Sequence, residues 1–352
     1  MRSVYDNWKT AETEADGFAG ANTPGGFRSS YDTIADEGKL ERVYIIKGGS
    51  GTGKSTLMHR IASAAEKQGK CCARYLCGSD PDSLDCVVIG GRIAVLDGTA
   101  PHVREMKLPG ASSAIIDVSR FWDPAKLEPY REELAQRAAV KAAAYASCTR
   151  WLAAADEAHR ERLALAERIF NRRKAEAFAG RFLDRLGKTQ PGERLELWSH
   201  AVTMKGRWRT GGRPAAHTFA VRDYYGLAPV FLDLLDGMMT ERRIGHTAFR
   251  LPLTGTAASL YLEPQGIAVT ASEEEGTQIN MKRFVLEIPE GIRGRIRLAG
   301  EITESCLNAA ADALKDAAEH HFAVESVYRP AMDFKALNRY GDTVIREILA
   351  RL

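Results

Sequence analysis

Residues 48–55 read Gly48-Gly49-Ser50-Gly51-Thr52-Gly53-Lys54-Ser55, a full match to G-x-x-x-x-G-K-[ST], with Thr56 directly behind. The chemistry served by this spacing is the holding of a phosphate chain. Glycines let successive backbone N–H groups turn inward around an anion, because no Cβ blocks its approach. In that pattern Lys54 reaches the β- and γ-phosphates and the Ser55 hydroxyl is a ligand for Mg²⁺. A nucleoside triphosphate, ATP by expectation, with Mg²⁺ is therefore the ligand class the motif specifies.

A second group of residues suits the same task. Ile93-Ala94-Val95-Leu96-Asp97 is an apolar strand ending in a carboxylate, a Walker-B-like pattern in which Asp97 holds Mg²⁺ opposite Ser55. Gly98 follows it, so the adjacent glutamate that activates water in many motor ATPases is absent from that position. Asp80-Pro81-Asp82-Ser83-Leu84-Asp85 offers three carboxylates in one turn. Asp80 and Asp82, ahead of Asp85, are candidates to position water, accept a proton or bind Mg²⁺ through water. The competing reading makes them the caps of a Pro-containing turn. Thr99 and His102 follow Asp97, with a phosphate-orienting role and a structural one equally open for the histidine.

These residues need elements to carry them. Val43-Tyr44-Ile45-Ile46 reads as the strand before the phosphate loop, and Leu57, Ile61, Ala64 and Ala65 carry helical spacing behind it, closed by Gly69. Cys71–Cys77 reads as a second strand, taken to lie beside the first, with a short helix or turn at Ser83–Asp85. Val87–Ile89 and Arg92–Leu96 follow as a strand pair, and Ala114–Val118 as a strand or structured loop. Such alternation implies a mostly parallel sheet covered on both faces. From Pro124 on, residues 126–155 and 157–186 are rich in Ala, Leu, Glu and Arg. They read as an antiparallel helical hairpin over about 125–186, with a break near Gly180. Its Arg160, Arg162, Arg172 and Arg173 suit a solvated ion-pair face better than a phosphate-clamping lid. Gly187–Gly192 reads as a linker, and Glu304–Leu352 as a helical tail in which His320-His321 is structural.

The second half reads as a worn copy of the first. Thr23 matches Thr203 at an offset of 180, and Ile93 matches Ile267 at an offset of 174. Ordered matches at a slowly drifting offset indicate duplication. In that alignment Pro229 and Val230 stand where Lys54 and Ser55 do, and Ala271 replaces Asp97. The second copy is therefore expected not to bind nucleotide. The domains expected are 1–188, a nucleotide-binding unit including the hairpin, and 189–352, a degenerate unit with a helical tail.

Composition narrows the class further. The chain has 352 residues, 45% of them hydrophobic and 27% charged, and a net charge of +3 from 49 basic and 46 acidic residues. Near-balance makes no general case for nucleic acid or membrane binding. No apolar run of membrane-spanning length and no signal peptide is read, and the six cysteines form no disulfide or zinc framework. Buried thiols in a reducing cytoplasm are the expectation.

Taken together, Ile45–Thr56, Ser79–Asp85 and Leu96–His102, with Phe121-Trp122-Asp123 and Ala331–Phe334, resemble a family of bacterial tandem P-loop ATP-binding proteins. The resemblance covers most of the chain and implies two P-loop units, here with a degenerate second one. The fold class expected is α/β of the P-loop NTPase type: a three-layer, mostly parallel sheet, duplicated, with long helical segments after each copy. The family supplies no substrate. The leading functional reading is a Mg²⁺-dependent ATPase, slow because no glutamate follows Asp97, which uses hydrolysis to switch domain or protein-partner contacts. A small-molecule kinase and a nucleotide-gated binding module are the alternatives.

Overall fold

The structure is a computed structural model that describes residues 3–186, 191–210, 213–254, 256–272 and 276–352. It is an α/β fold built on one twelve-stranded sheet. In chain order its strands are β1 (Gly17–Phe18), β2 (Arg42–Lys47), β3 (Cys72–Leu76), β4 (Leu84–Ile89), β5 (Ile93–Asp97), β6 (Ser113–Asp117), β7 (Arg194–Trp198), β8 (His217–Arg222), β9 (His246–Arg250), β10 (Ala257–Leu262), β11 (Ile267–Ala271) and β12 (Thr277–Asn280). Their spatial order is β12-β8-β11-β10-β9-β7-β1-β3-β4-β5-β2-β6.

Six neighbouring pairs run parallel and five antiparallel. The parallel majority is thus slim, because β3, β4 and β5 form a meander, as do β9, β10 and β11. This corrects one expectation. The strand before Asp80 is not beside the phosphate-loop strand: β5 and β6 flank β2, and β3 lies beyond β4. Ser83–Asp85 likewise is no helix, since β4 starts at Leu84.

Read outward from the β1–β7 junction, the two halves of the sheet have the same strand order and directions. At that junction Phe18 pairs antiparallel with Trp198. Each half also carries a small hairpin closed in the same way. Thr23 Oγ1 donates to Gly26 O at 2.6 Å and Thr203 Oγ1 to Gly206 O at 3.0 Å. The hairpins touch, with Asn22 Nδ2 donating to Val202 O at 3.0 Å.

Strand alternation sorts the apolar side chains of the first half. Tyr44, Ile46, Ile93 and Val95 face one side and pack on helix α1 (Lys54–Glu66) through Leu57, Met58 and Ile61. Val43, Ile45, Ala94 and Leu96 face the other, where the four-residue helix Tyr31–Ile34 is the cover in place of a full helical layer.

The expected hairpin takes a different form. One helix, α2 (Arg131–Glu167), runs 37 residues, and the break falls at Arg168–Asn171, where the Asn171 side chain caps α3 (Arg172–Arg185); Gly180 lies inside α3. After α4 (Leu227–Glu241), the second half has its own 37-residue helix, α5 (Ile292–Tyr328), and then α6 (Phe334–Leu349), capped by Asp333. The antiparallel partner of α2 is α5. Lys141 meets His321 near one end of the pair, and Glu161 meets Arg295 near the other.

Because the long helices cross, their followers exchange places. Ala175, Ala179 and Leu183 of α3 pack with Leu227 and Phe231 of α4. Leu337, Val344 and Ile348 of α6 pack with Leu57 and Ile61 of α1. Burying each such side chain contributes about 1.5–3 kcal/mol, so α6 is anchored on the phosphate-loop helix. The expected linker falls largely on residues 187–190, outside the described residues, as does the expected boundary at 188. Among the described residues no helix is long and apolar enough to cross a membrane.

Candidate functional site

Gly48–Gly53 turn from β2 into α1, as the motif predicts. Gly53, at the helix N-cap, has φ +81°, where an L side chain is strained. A Cβ on Gly48 would lie 2.4 Å from Val118 Cγ2. Gly53 offers no side-chain cap and the first turn of α1 has no acidic residue, so its N-terminal N–H groups and dipole face a cleft of about 560 Å³. Lys54 Nζ donates to Gly49 O at 2.6 Å and lies 3.4 Å from Asp97 Oδ2. Ser55 Oγ accepts from the Leu84 N–H at 3.0 Å. Asp97 Oδ1 accepts from both the backbone and the hydroxyl of Thr99. Burial, with Asp85 adding to it, raises the Asp97 carboxyl above its ordinary range against the pull of Lys54. A cation would relieve that cost. Ser55 and Asp97 supply the hard oxygen donors that suit Mg²⁺.

Asp80, Asp82 and Asp85 all line this cleft, but they divide by partner. Asp80 and Asp82 both pair with Lys205 Nζ, at 2.6 and 2.5 Å, and Asp80 also accepts from Ser83. Lys205 belongs to the hairpin of the second half, so this carboxylate pair ties the halves together. Asp85 instead points inward: its Oδ2 lies 2.8 Å from His102 Nε2, and both side chains are almost fully buried. Burial lowers the His102 pKa, but Asp85 and Asp97 outweigh it and the net direction is upward. His102 lies on the cleft wall, buried beside Asp85.

Several lining residues come from the long helices and had no sequence signal. Tyr145 of α2 donates to Ser79 Oγ at 2.8 Å, and Lys141 approaches His321 Nδ1 at 3.4 Å. His321, expected to be structural, lies on the cleft wall with Glu325 and Arg329. Glu325 lies over the apex of the loop, where a Cβ on Gly51 would be 3.3 Å from its own Cβ. Its carboxyl is held below the usual range by His321, then by Arg329 and the Gly51 N–H, against desolvation. The hairpin arginines do not gather here: Arg160 pairs with Asp156 and Glu157, Arg172 with Glu167, and Arg162 with Asp223.

The equivalent turn of the second half runs from β8 into α4. Gly226 occupies the place of Gly53, with φ +81°. Only four residues, 223–226, separate β8 from α4, where six separate β2 from α1. Helix alignment therefore sets Leu227 and Ala228 opposite Lys54 and Ser55, not Pro229 and Val230 as sequence offsets indicate. Asp223 accepts the Ala228 N–H at 2.9 Å and lies 3.5 Å from the buried Arg162 guanidinium. A carboxylate of the chain stands at this helix N-terminus. Compared with known proteins, the chain matches no protein-family model, no curated protein and no solved structure.

Proposed function

We propose that the first-half cleft binds a Mg²⁺–nucleoside triphosphate, ATP by expectation, in a P-loop NTPase-type unit, and that the second half is a degenerate duplicate of it. The observation that carries this reading is the Gly48–Ser55 loop, set between β2 and the uncapped N-terminus of α1, with Lys54 and Asp97 meeting below it. In this reading the loop N–H groups and Lys54 take the phosphate oxygens, and Ser55 and Asp97 hold Mg²⁺, which neutralises phosphate charge. Repetition of strand order and of the Thr–Gly hairpin turn supports duplication. The shortened turn and its resident Asp223 support loss of the second site.

The activity best supported is slow hydrolysis coupled to a contact switch. No carboxylate follows Asp97, and Asp85 is engaged with His102, so a free general base is not evident among the described residues. Glu325 lies on the loop that a triphosphate must reach, and its carboxylate shares the Gly51 N–H. Nucleotide and Glu325 then compete, which couples occupancy to the position of α5. The kinase reading is weakened, because its acceptor-side carboxylates Asp80 and Asp82 are engaged by Lys205.

The experiment is to follow γ-labelled ATP with Mg²⁺, with and without a small-molecule extract, beside Lys54→Ala. Slow release of free phosphate from the native chain, absent in Lys54→Ala, is expected. Label on an organic acceptor would replace the ATPase by a kinase, and label remaining on ATP that still binds would leave a binding module. Equal phosphate release from Lys54→Ala would overturn the site.

A further inference from the structure

The cleft also holds a group of residues that the proposed nucleotide site does not use. Cys77 follows the end of β3, Asp85 is the second residue of β4, and His102 lies in the loop after β5. The antiparallel β3–β4–β5 meander holds all three at one edge of the sheet, fixed locally by the Cys77 N–H donating to Ser83 O at 2.8 Å. One donor atom from each residue lies within 4.8 Å of the other two. Cys77 Sγ is 4.0 Å from His102 Nε2, and Asp85 Oδ2 is 2.8 Å from the same nitrogen. Donors around a tetrahedral zinc ion, with metal–ligand distances near 2.0–2.3 Å, lie about 3.3–3.6 Å apart. Small side-chain shifts bring this set to that spacing.

Two further observations point to a ligand. Asp85 and His102 are only 3% and 5% exposed, and the close polar contact of Asp85 Oδ2 is His102 Nε2 within the cluster. His102 Nδ1 is buried without a hydrogen-bond partner, which costs about 1–3 kcal/mol. Cys77 Sγ meanwhile accepts from the Ser79 N–H at 3.4 Å, while burial and then Asp85 push its thiol well above the usual range, a cost that a bound cation would offset. All three residues line the cleft, so a fourth coordination position opens into it.

We propose that Cys77, Asp85 and His102 form a binding site for a soft divalent cation of the zinc class, separate from the Mg²⁺ position at Ser55 and Asp97. One thiolate, one imidazole and one carboxylate select such a cation over Mg²⁺. Binding releases the Cys77 proton to solvent. Three protein ligands with an open fourth place are the pattern of a zinc ion that binds water or a substrate oxygen. The site needs no nucleotide, so it stands or falls independently of the proposed function.

The test is titration of the full chain, stripped with chelator, with Co²⁺ alone and then with Zn²⁺ as competitor. Expected are one Co²⁺ per chain with a sulfur-to-cobalt charge-transfer band, and displacement by Zn²⁺ but not by excess Mg²⁺. Cys77→Ser loses the band and His102→Gln weakens binding at least about tenfold, while Cys71→Ser, on the exposed cysteine, changes neither. Circular dichroism of each variant separates lost binding from lost folding. If His102→Gln fails to fold, the Cys77→Ser band decides. Absence of stoichiometric Co²⁺ binding, an unchanged band in Cys77→Ser, or a band that vanishes in Cys71→Ser would overturn the proposal.

Discussion

The turn after β2 and the turn after β8 share a frame and differ in what faces the helix behind them. Both sit between parallel-flanked strands, and both enter their helix through a glycine at φ +81°. The first is six residues long and leaves the α1 N-terminus facing the cleft, with Lys54 beneath it and Glu325 over Gly51. The second is four residues long and places Asp223 at the α4 N-terminus, with Arg162 behind it. A helix N-terminus attracts an anion in either case. The second half sets its own carboxylate at the helix N-terminus, whereas in the first no side chain caps the helix and Glu325 stands over the loop apex. The same strand order thus carries two different turns, one with its own carboxylate at the helix N-terminus and one without.

The largest effect that sharpens this contrast falls in the second half. Arg162 is 2% exposed and lies against Gly226 and Gly300. Removing one partner of a buried ion pair costs about 3–5 kcal/mol. Arg162→Met is therefore expected to lower the denaturant midpoint by a corresponding amount while leaving nucleotide affinity unchanged. An unchanged midpoint would show that the pair with Asp223 is not what holds this turn.

The histidines supply the next test. His159, beside Thr256, and His200, beside Ser199, are buried and neutral, each with its pKa pulled down to about 3 by burial and nearby arginines. Their unfolded-state value lies near 6.5. A depressed folded pKa means that the unfolded chain binds more protons, so their stabilisation is complete above about pH 6.5 and is lost as pH falls toward 3. The slope is about 1.4 kcal/mol per pH unit for each residue. Equilibrium unfolding between pH 7 and 4 checks it: His159→Gln should flatten the pH dependence, and an unaltered slope would contradict this origin.

Glu325 gives a smaller effect, on the first half alone. Its carboxylate stands over Gly51 in competition with a phosphate, so Glu325→Gln is expected to raise nucleotide affinity about three- to tenfold by weakening the occupied state. Weaker binding in the variant would instead make Glu325 part of the nucleotide site.

What could be read from the residues was local. Gly48–Ser55, the strand before it and Asp97 at a strand end are contiguous patterns whose physics lies within a few residues. The shared strand order of the two halves was legible because strands and turns keep their spacing from Thr23/Thr203 to Ile93/Ile267. Pairing across the chain was not. A long helix rich in Ala and Glu, such as α2, shows that it is a helix without showing its partner, and the contact of Lys141 with His321 spans 180 residues. For the same reason Lys205 could not be assigned to Asp80, nor Glu325 to Gly51. The alignment of Lys54 with Pro229 failed because two residues are missing from the second turn itself, where sequence offsets carry no signal of where the helix starts.

The most direct measurement of the central claim, one phosphate-binding turn and one occupied by the chain itself, is calorimetric titration of the full chain with Mg²⁺–ATP beside Lys54→Ala. The account predicts one ATP per chain, with affinity lowered at least about a hundredfold in Lys54→Ala. Two equivalents per chain, or undiminished binding in Lys54→Ala, would contradict it.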